Sequence, residues 1–303
     1  MTSEREDFAS AAMMRLVVAG LAAQGISSPQ SAPAGAHVPR STKRDVLEQV
    51  LAEHGPKAIL AISDNAPLMP PEPVLIALRK AQSVPDLLDR WARLETFSHA
   101  RHRIEAARTR TYDFTLNHVA CDDGPPPGAA ESLLVLGVIT RLCEALGAEA
   151  VTLEDSKGRF WRKKGAWSSH PLGETIGQMI LTAGEPQTQN AKPESVEQDV
   201  NTLRRAIADD PVRRWTVKSL ARTARTSERT LQRRLSAHST SFSQVLSEAR
   251  LQVAADHLCA PNGFGLVEIG FLAGYADQSH FTRAFKLGVG TTPKEYRIAF
   301  QHR

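Results

Sequence analysis

The sequence predicts an α+β chain in two domains. A mixed, helix-rich first domain spans residues 1–187, a linker 188–195, and an all-α domain with two helix-turn-helix units 196–303. Three observations predict this. Residues 267–297, VEIGFLAGYADQSHFTRAFKLGVGTTPKEYR, spell two short helices joined by a tight turn. Ile269, Leu272 and Ala273 share one face, Gly274 gives the turn its backbone freedom, and Phe281 and Phe285 repeat at i, i+4. Upstream, WTVKSLARTARTSERTLQRRLSAHSTSFSQVLSEAR repeats the plan, with Val217, Leu220 and Ala221 before the turn and Leu231 and Leu235 after it. In the first domain, helical spacing gives way to a two-residue alternation at Tyr112, Phe114, Leu116 and His118, which is a strand period.

Taken in order, residues 1–26 read as a helix and 27–39, rich in Ser, Ala, Pro and Gly, as a loop. Thr42 can cap a helix running to about His54, with Val46, Leu47, Val50 and Leu51 at helical spacing. Segments 58–62, 73–81 and 85–97 continue the helical reading, each begun by a proline near its first turn. The strand around 112–118 pairs in a hairpin with 103–108. After the turn-forming DDGPPPG, residues 130–146 make a strongly apolar helix ending at Gly147, then a strand at 150–154 and a hairpin about 155–158. Residues 184–195 are polar, contain prolines and have no apolar period, which places the linker there. A helix follows over 196–209. Ser227 is placed to cap the second helix of the first unit. A connecting helix over 241–259 reaches roughly 28 Å, near the ~34 Å between successive major-groove faces, so one rigid domain can set two helices in adjacent turns of a duplex.

Length and composition allow two independent cores, and 42% hydrophobic with 23% charged residues is ordinary for a globular chain. No run of eighteen apolar residues offers a membrane span. The apolar stretch 8–23 follows Glu4, Glu6 and Asp7 and is interrupted by Arg15, which does not suit a signal peptide, so a cytoplasmic location is expected. Cys121, Cys143 and Cys259 are odd in number and far apart, which favours reduced thiols. The net charge of +4 is uneven: residues 195–303 hold 16 Lys+Arg against 10 Asp+Glu, and residues 1–194 hold 21 against 23. A basic domain beside a near-neutral one fits a polyanion binder joined to something else.

The run GYADQSHFTRAFK, with Gly290 and PKEYR beyond it, resembles the C-terminal signature of the AraC/XylS family of transcriptional regulators, and the resemblance extends from roughly Val196 to the C-terminus. Ser239 stands where that family usually has glycine before TSF, and the loop KLGVGTTP lacks the common aromatic. The resemblance implies base contacts from Arg229, Gln232 and Arg233 in the first unit and from Gln278, Ser279, His280 and Arg283 in the second, with Thr282 on phosphate. Arg213 and Arg214 stand ahead of the first unit as further candidates for the DNA backbone. The expected function is a sequence-specific regulator bound to a double-stranded operator, with a small-molecule effector in the first domain and RNA polymerase as a further candidate partner. The first domain resembles the family's helix-rich effector domains more than its β-barrel ones. The alternative is a ligand-free dimerisation or docking module.

Other motifs read blandly. Exposed charged faces such as Glu228, Arg229, Gln232 and Arg233 are usually only solvated, but two of them after matching turns favour DNA. His99, His102, His118 and Cys121 approach zinc spacing, yet only one thiolate is present and Arg101 and Arg103 crowd the site, so no metal is expected. No GxSxG, phosphate-binding glycine loop or HExxH occurs, and three scattered cysteines cannot make the four-cysteine site of methyl-accepting DNA-repair relatives. Neither an enzyme nor a cofactor is therefore expected. Phe160, Trp161 and Trp167 with Arg162, Lys163 and Lys164 suggest an anion pocket or, more simply, a half-exposed hairpin. Leu133, Leu134, Leu136, Val138, Ile139, Leu142 and Leu146 exceed the stripe one packed face needs, which motivates a homodimer.

Overall fold

The computed structural model describes residues 8–33, 37–66, 73–97, 101–184, 200–261 and 263–300. The chain divides into two compact units, residues 1–187 and 188–303, each with its own core.

The first unit opens with β1 (Phe8–Ser10), α1 (Ala11–Ala22) and β2 (His37–Pro39), the two strands pairing antiparallel. A helix expected over 1–26 and a loop over 27–39 are thus corrected within the described residues, because strands of three residues are too short to display a period. α2 (Arg40–Ile62) breaks at Gly55 (φ 76, ψ 179), and Pro56 opens its second segment, as the glycine–proline step demands. α3 (Pro73–Arg79) and α4 (Val84–Phe97) follow. The hairpin β3 (His102–Arg108) and β4 (Asp113–Ala120) leads through the proline loop into α5 (Ala129–Ala145), then β5 (Thr152–Asp155), β6 (Phe160–Lys163), β7 (Ala166–Trp167) and β8 (Met179–Thr182). These six form one antiparallel sheet in the order β3-β4-β8-β5-β6-β7, with β8 joining the two hairpins at its centre.

α5 is the axis of this unit. It packs on α2, α3 and α4, and is tied to the sheet where the Ser132 hydroxyl meets His118 and Glu144 takes two hydrogen bonds from Arg162. Leu133, Leu134, Leu136, Val138, Ile139 and Leu142 are all buried within the unit. The apolar surplus that motivated a homodimer is therefore consumed by helices on one side and the sheet on the other, and that motive is withdrawn.

The second unit is all helix: α6 (Val200–Asp209), α7 (Val217–Thr223), α8 (Glu228–Ala237), α9 (Phe242–Cys259), α10 (Leu266–Leu272), α11 (Gln278–Val289) and α12 (Pro293–Phe300). Leu203, Ile207, Trp215, Leu220, Leu231, Leu235, Val245 and Ala249 make the core under the first pair of short helices. α9, at 18 residues about 27 Å long, runs on to pack against α10, α11 and α12. Together these elements give the α+β architecture expected, with the helix-turn-helix region at the C-terminal end. The linker at 188–195, and residues 196–199 of the helix expected over 196–209, lie outside the described residues. No helix among those described is long and apolar enough to cross a membrane.

Candidate nucleic-acid interface

The two helix-turn-helix units are built by the same local chemistry. α7 starts in a capping box, where Thr216 accepts from the Ser219 amide at 3.0 Å and the Ser219 hydroxyl accepts from the Thr216 amide at 2.8 Å. It ends where the Arg225 amide reaches the Arg222 carbonyl and the Thr226 amide reaches the Ala221 carbonyl, a Schellman pair with Arg225 at φ 49. α10 ends in the same way: the Gly274 amide reaches Phe271, the Tyr275 amide reaches Gly270, and Gly274 is at φ 80. Each second helix is then capped by a short side chain, Ser227 accepting from the Thr230 amide at 3.1 Å and Asp277 from the His280 amide at 2.7 Å.

Burial decides which face remains. Leu231 and Leu235 on α8, and Phe281 and Phe285 on α11, are 0–1% exposed. On the opposite faces Arg229, Gln232, Arg233, Ser279, His280 and Arg283 are exposed, and Gln278 and Thr282 half-buried. Counted from the caps, Arg229 matches Ser279, Gln232 matches Thr282, and Arg233 matches Arg283. The His280 ring stands edge-on to Tyr275 with centroids 5.4 Å apart, so a buried aromatic orients it. Amide, hydroxyl, imidazole and guanidinium groups in this arrangement supply donors and acceptors for base edges and cations for phosphates. Of the two arginines ahead of the first unit, Arg213 lies over the Trp215 ring at 4.5 Å, and Arg214 is exposed.

Other sequence candidates are spoken for. His102 uses both ring nitrogens, one with Glu131 at 3.2 Å and one with the Pro125 carbonyl at 3.0 Å. His118 pairs with Ser132, Cys121 is exposed, and His99 lies outside the described residues. Arg162, only 4% exposed, is committed to Glu144 and stacks on Trp167 at 4.4 Å, while the Trp167 indole donates to Asp64. Trp161, Arg162 and Trp167 are thus core and ion pair, while Lys163 and Lys164 are exposed. A cavity of about 300 Å³ beside this hairpin is lined by Glu144, Val151, Thr152, Lys163 and Lys164.

Capped helices, matching turns and two exposed polar faces define the second unit as a two-helix-turn-helix domain whose exposed faces have the chemistry to meet nucleic acid. A family model described as a helix-turn-helix domain matches residues 220–299. The DNA-binding dual transcriptional regulator Rns of Escherichia coli is 28% identical over 167 residues, 54% of this chain and 62% of that protein. The HTH-type transcriptional activator CfaD of the same species is 27% identical over 169 residues, 54% and 63% of the two chains. The chain thus spans a little under two thirds of the length of these curated relatives. Among solved structures, the transcriptional regulator CdpR from Pseudomonas aeruginosa aligns over 94% of this chain and 97% of its own at 18% identity, with a TM-score of 0.35, too loose to carry features across.

Proposed function

We propose that this protein is a sequence-specific DNA-binding transcriptional regulator whose two recognition helices, α8 and α11, read one duplex, and whose first unit sets the affinity of the second in response to a small-molecule effector. The observation that carries the DNA reading is the pair of exposed faces at equal offsets from their caps, with Arg233 and Arg283 equivalent in the two units. The excess of lysine and arginine in residues 195–303 supports a polyanionic partner. In this reading Arg229, Gln232, Arg233, Gln278, Ser279, His280 and Arg283 meet base edges, and Thr282 meets phosphate. The protein acts by binding rather than by catalysis, as the names of its relatives suggest.

The test is binding to a duplex enriched by the full-length chain from a random pool, against a random duplex at the same salt. Arg233→Ala and Arg283→Ala should each weaken the enriched duplex by about 5- to 150-fold, or ~1–3 kcal/mol, and the random duplex far less. Equal loss on both would make these arginines phosphate clamps.

A further inference from the structure

The turn of the second helix-turn-helix unit presses on the loop that leads into the first. A Cβ added at Gly274 would lie 2.0 Å from the Pro211 carbonyl oxygen, 2.6 Å from its carbon and 3.0 Å from Arg250 Nε. Arg250, midway along α9, donates through Nη2 to that same oxygen at 3.4 Å. The Pro211 loop is fixed to the first core, because Val212 is buried and the buried Trp215 donates its indole N–H to the Asp210 carbonyl at 2.9 Å. On the other side, Tyr275, 3% exposed, lies against Phe281 of α11 with centroids 5.2 Å apart. Three elements therefore meet at one carbonyl.

The dihedral alone does not account for the glycine. The corresponding turn of the first unit closes with the same two hydrogen bonds and carries an arginine at φ 49. What differs at Gly274 is the oxygen of Pro211 within contact distance of its Cα hydrogens.

We infer that the contact of Pro211, Arg250 and Gly274 is a joint that fixes the register of the two recognition helices, so that Arg250 and Gly274 are positioning residues for the spacing between the two DNA segments they read. This rests on the proposal that both units bind one duplex. Each inserted base pair moves the second segment about 3.4 Å along the axis and rotates it by roughly 35°. A stiff joint cannot follow that displacement, and a loosened one can.

The experiment uses the full chain and the duplex it enriches from a random pool, with derivatives carrying one or two base pairs inserted or deleted between the two footprinted segments. The native protein should lose about tenfold or more in affinity per changed base pair. Arg250→Ala should flatten the series to within about threefold, whereas Arg250→Lys, which keeps one donor for the Pro211 oxygen, should restore the native profile. Thermal unfolding checks that each variant is folded, and Arg250→Gln and Gly274→Ala serve if Arg250→Ala is not. A folded Arg250 variant that keeps the native spacing profile, even at uniformly lower affinity, overturns the joint. A single footprinted segment with the native protein would instead overturn the two-unit reading itself, and the inference with it.

Discussion

Ser239 occupies the left-handed position, φ 52, that closes α8: its amide reaches Ser236, and the Thr240 amide reaches Leu235. This is where the resemblance expects glycine, and the backbone has kept the glycine's conformation around a serine. Relief of the Cβ clash outweighs the extra chain entropy of glycine, so Ser239→Gly should stabilise the protein by about 0.5–1 kcal/mol, read as a rise in Tm. A lowered Tm would show that the serine side chain contributes more than its strain. His118 makes a pH-dependent counterpart in the first unit. Burial pushes it down from 6.5 to about 4, while its neighbour His102 is raised by its hydrogen bond to Glu131. Between pH 6.5 and 4 the unfolded chain takes up a proton that folded His118 refuses, so stability rises with pH across that window and falls as acid is added, by at most about 3 kcal/mol. His102 contributes with the opposite sign, its stability fading as pH rises through its folded value. Glu131, against the upward pull of burial, is held below the carboxylate range by His102 and Lys43, and loses its share only in stronger acid. His118→Gln should therefore flatten the loss of stability between pH 6.5 and 4 in denaturant melts. An unchanged slope would assign the acid sensitivity to other groups.

At the scale of elements, the second unit was legible because each signal was local. Ser227 and Ser241 sit where caps were needed, the leucines and phenylalanines repeat at i, i+4, and Gly274 marks the turn. The hairpin of β3 and β4 and the helix α5 were legible for the same reason. β1, β2 and β8 were not: β1 and β2 have three residues each, too few to show a period, and the apolar β8 owes its place to the partners β4 and β5 on either side of it. Nor could the fate of α5 be read from its own residues, because an apolar surplus looks the same whether it meets the protein's own sheet or a second copy. The Pro211 joint was invisible for a related reason: it depends on residues 211, 250 and 274 meeting in space. Gly20 is a further close approach of this kind. A Cβ there would fall 2.7–2.8 Å from the Cα, carbonyl oxygen and Cγ2 of Ile62, where α1 crosses the end of α2. Gly20→Ala should cost ~1–3 kcal/mol by overpacking, measured by denaturant unfolding. A neutral result would mean that α1 can shift on α2.

At the scale of the whole molecule, a basic domain with its own core follows a near-neutral first unit. If that first unit biases DNA affinity through an effector, the coupling should lie in the usual range of about 1–3 kcal/mol, or 5- to 150-fold. A fragment of residues 188–303 should bind the enriched duplex with both footprinted segments retained but without any effector response. Identical binding by fragment and full chain, with and without a ligand recovered from the native protein, would turn the first unit into a docking module. In the proposed function α8 and α11 read the same duplex. The most direct test is a hydroxyl-radical footprint of the full-length chain on the duplex it enriches from a random pool. Two protected segments are expected, with centres about one helical turn, ~34 Å, apart, one lost on Arg233→Ala and the other on Arg283→Ala. One protected segment, or two that respond to the same arginine, would contradict this reading.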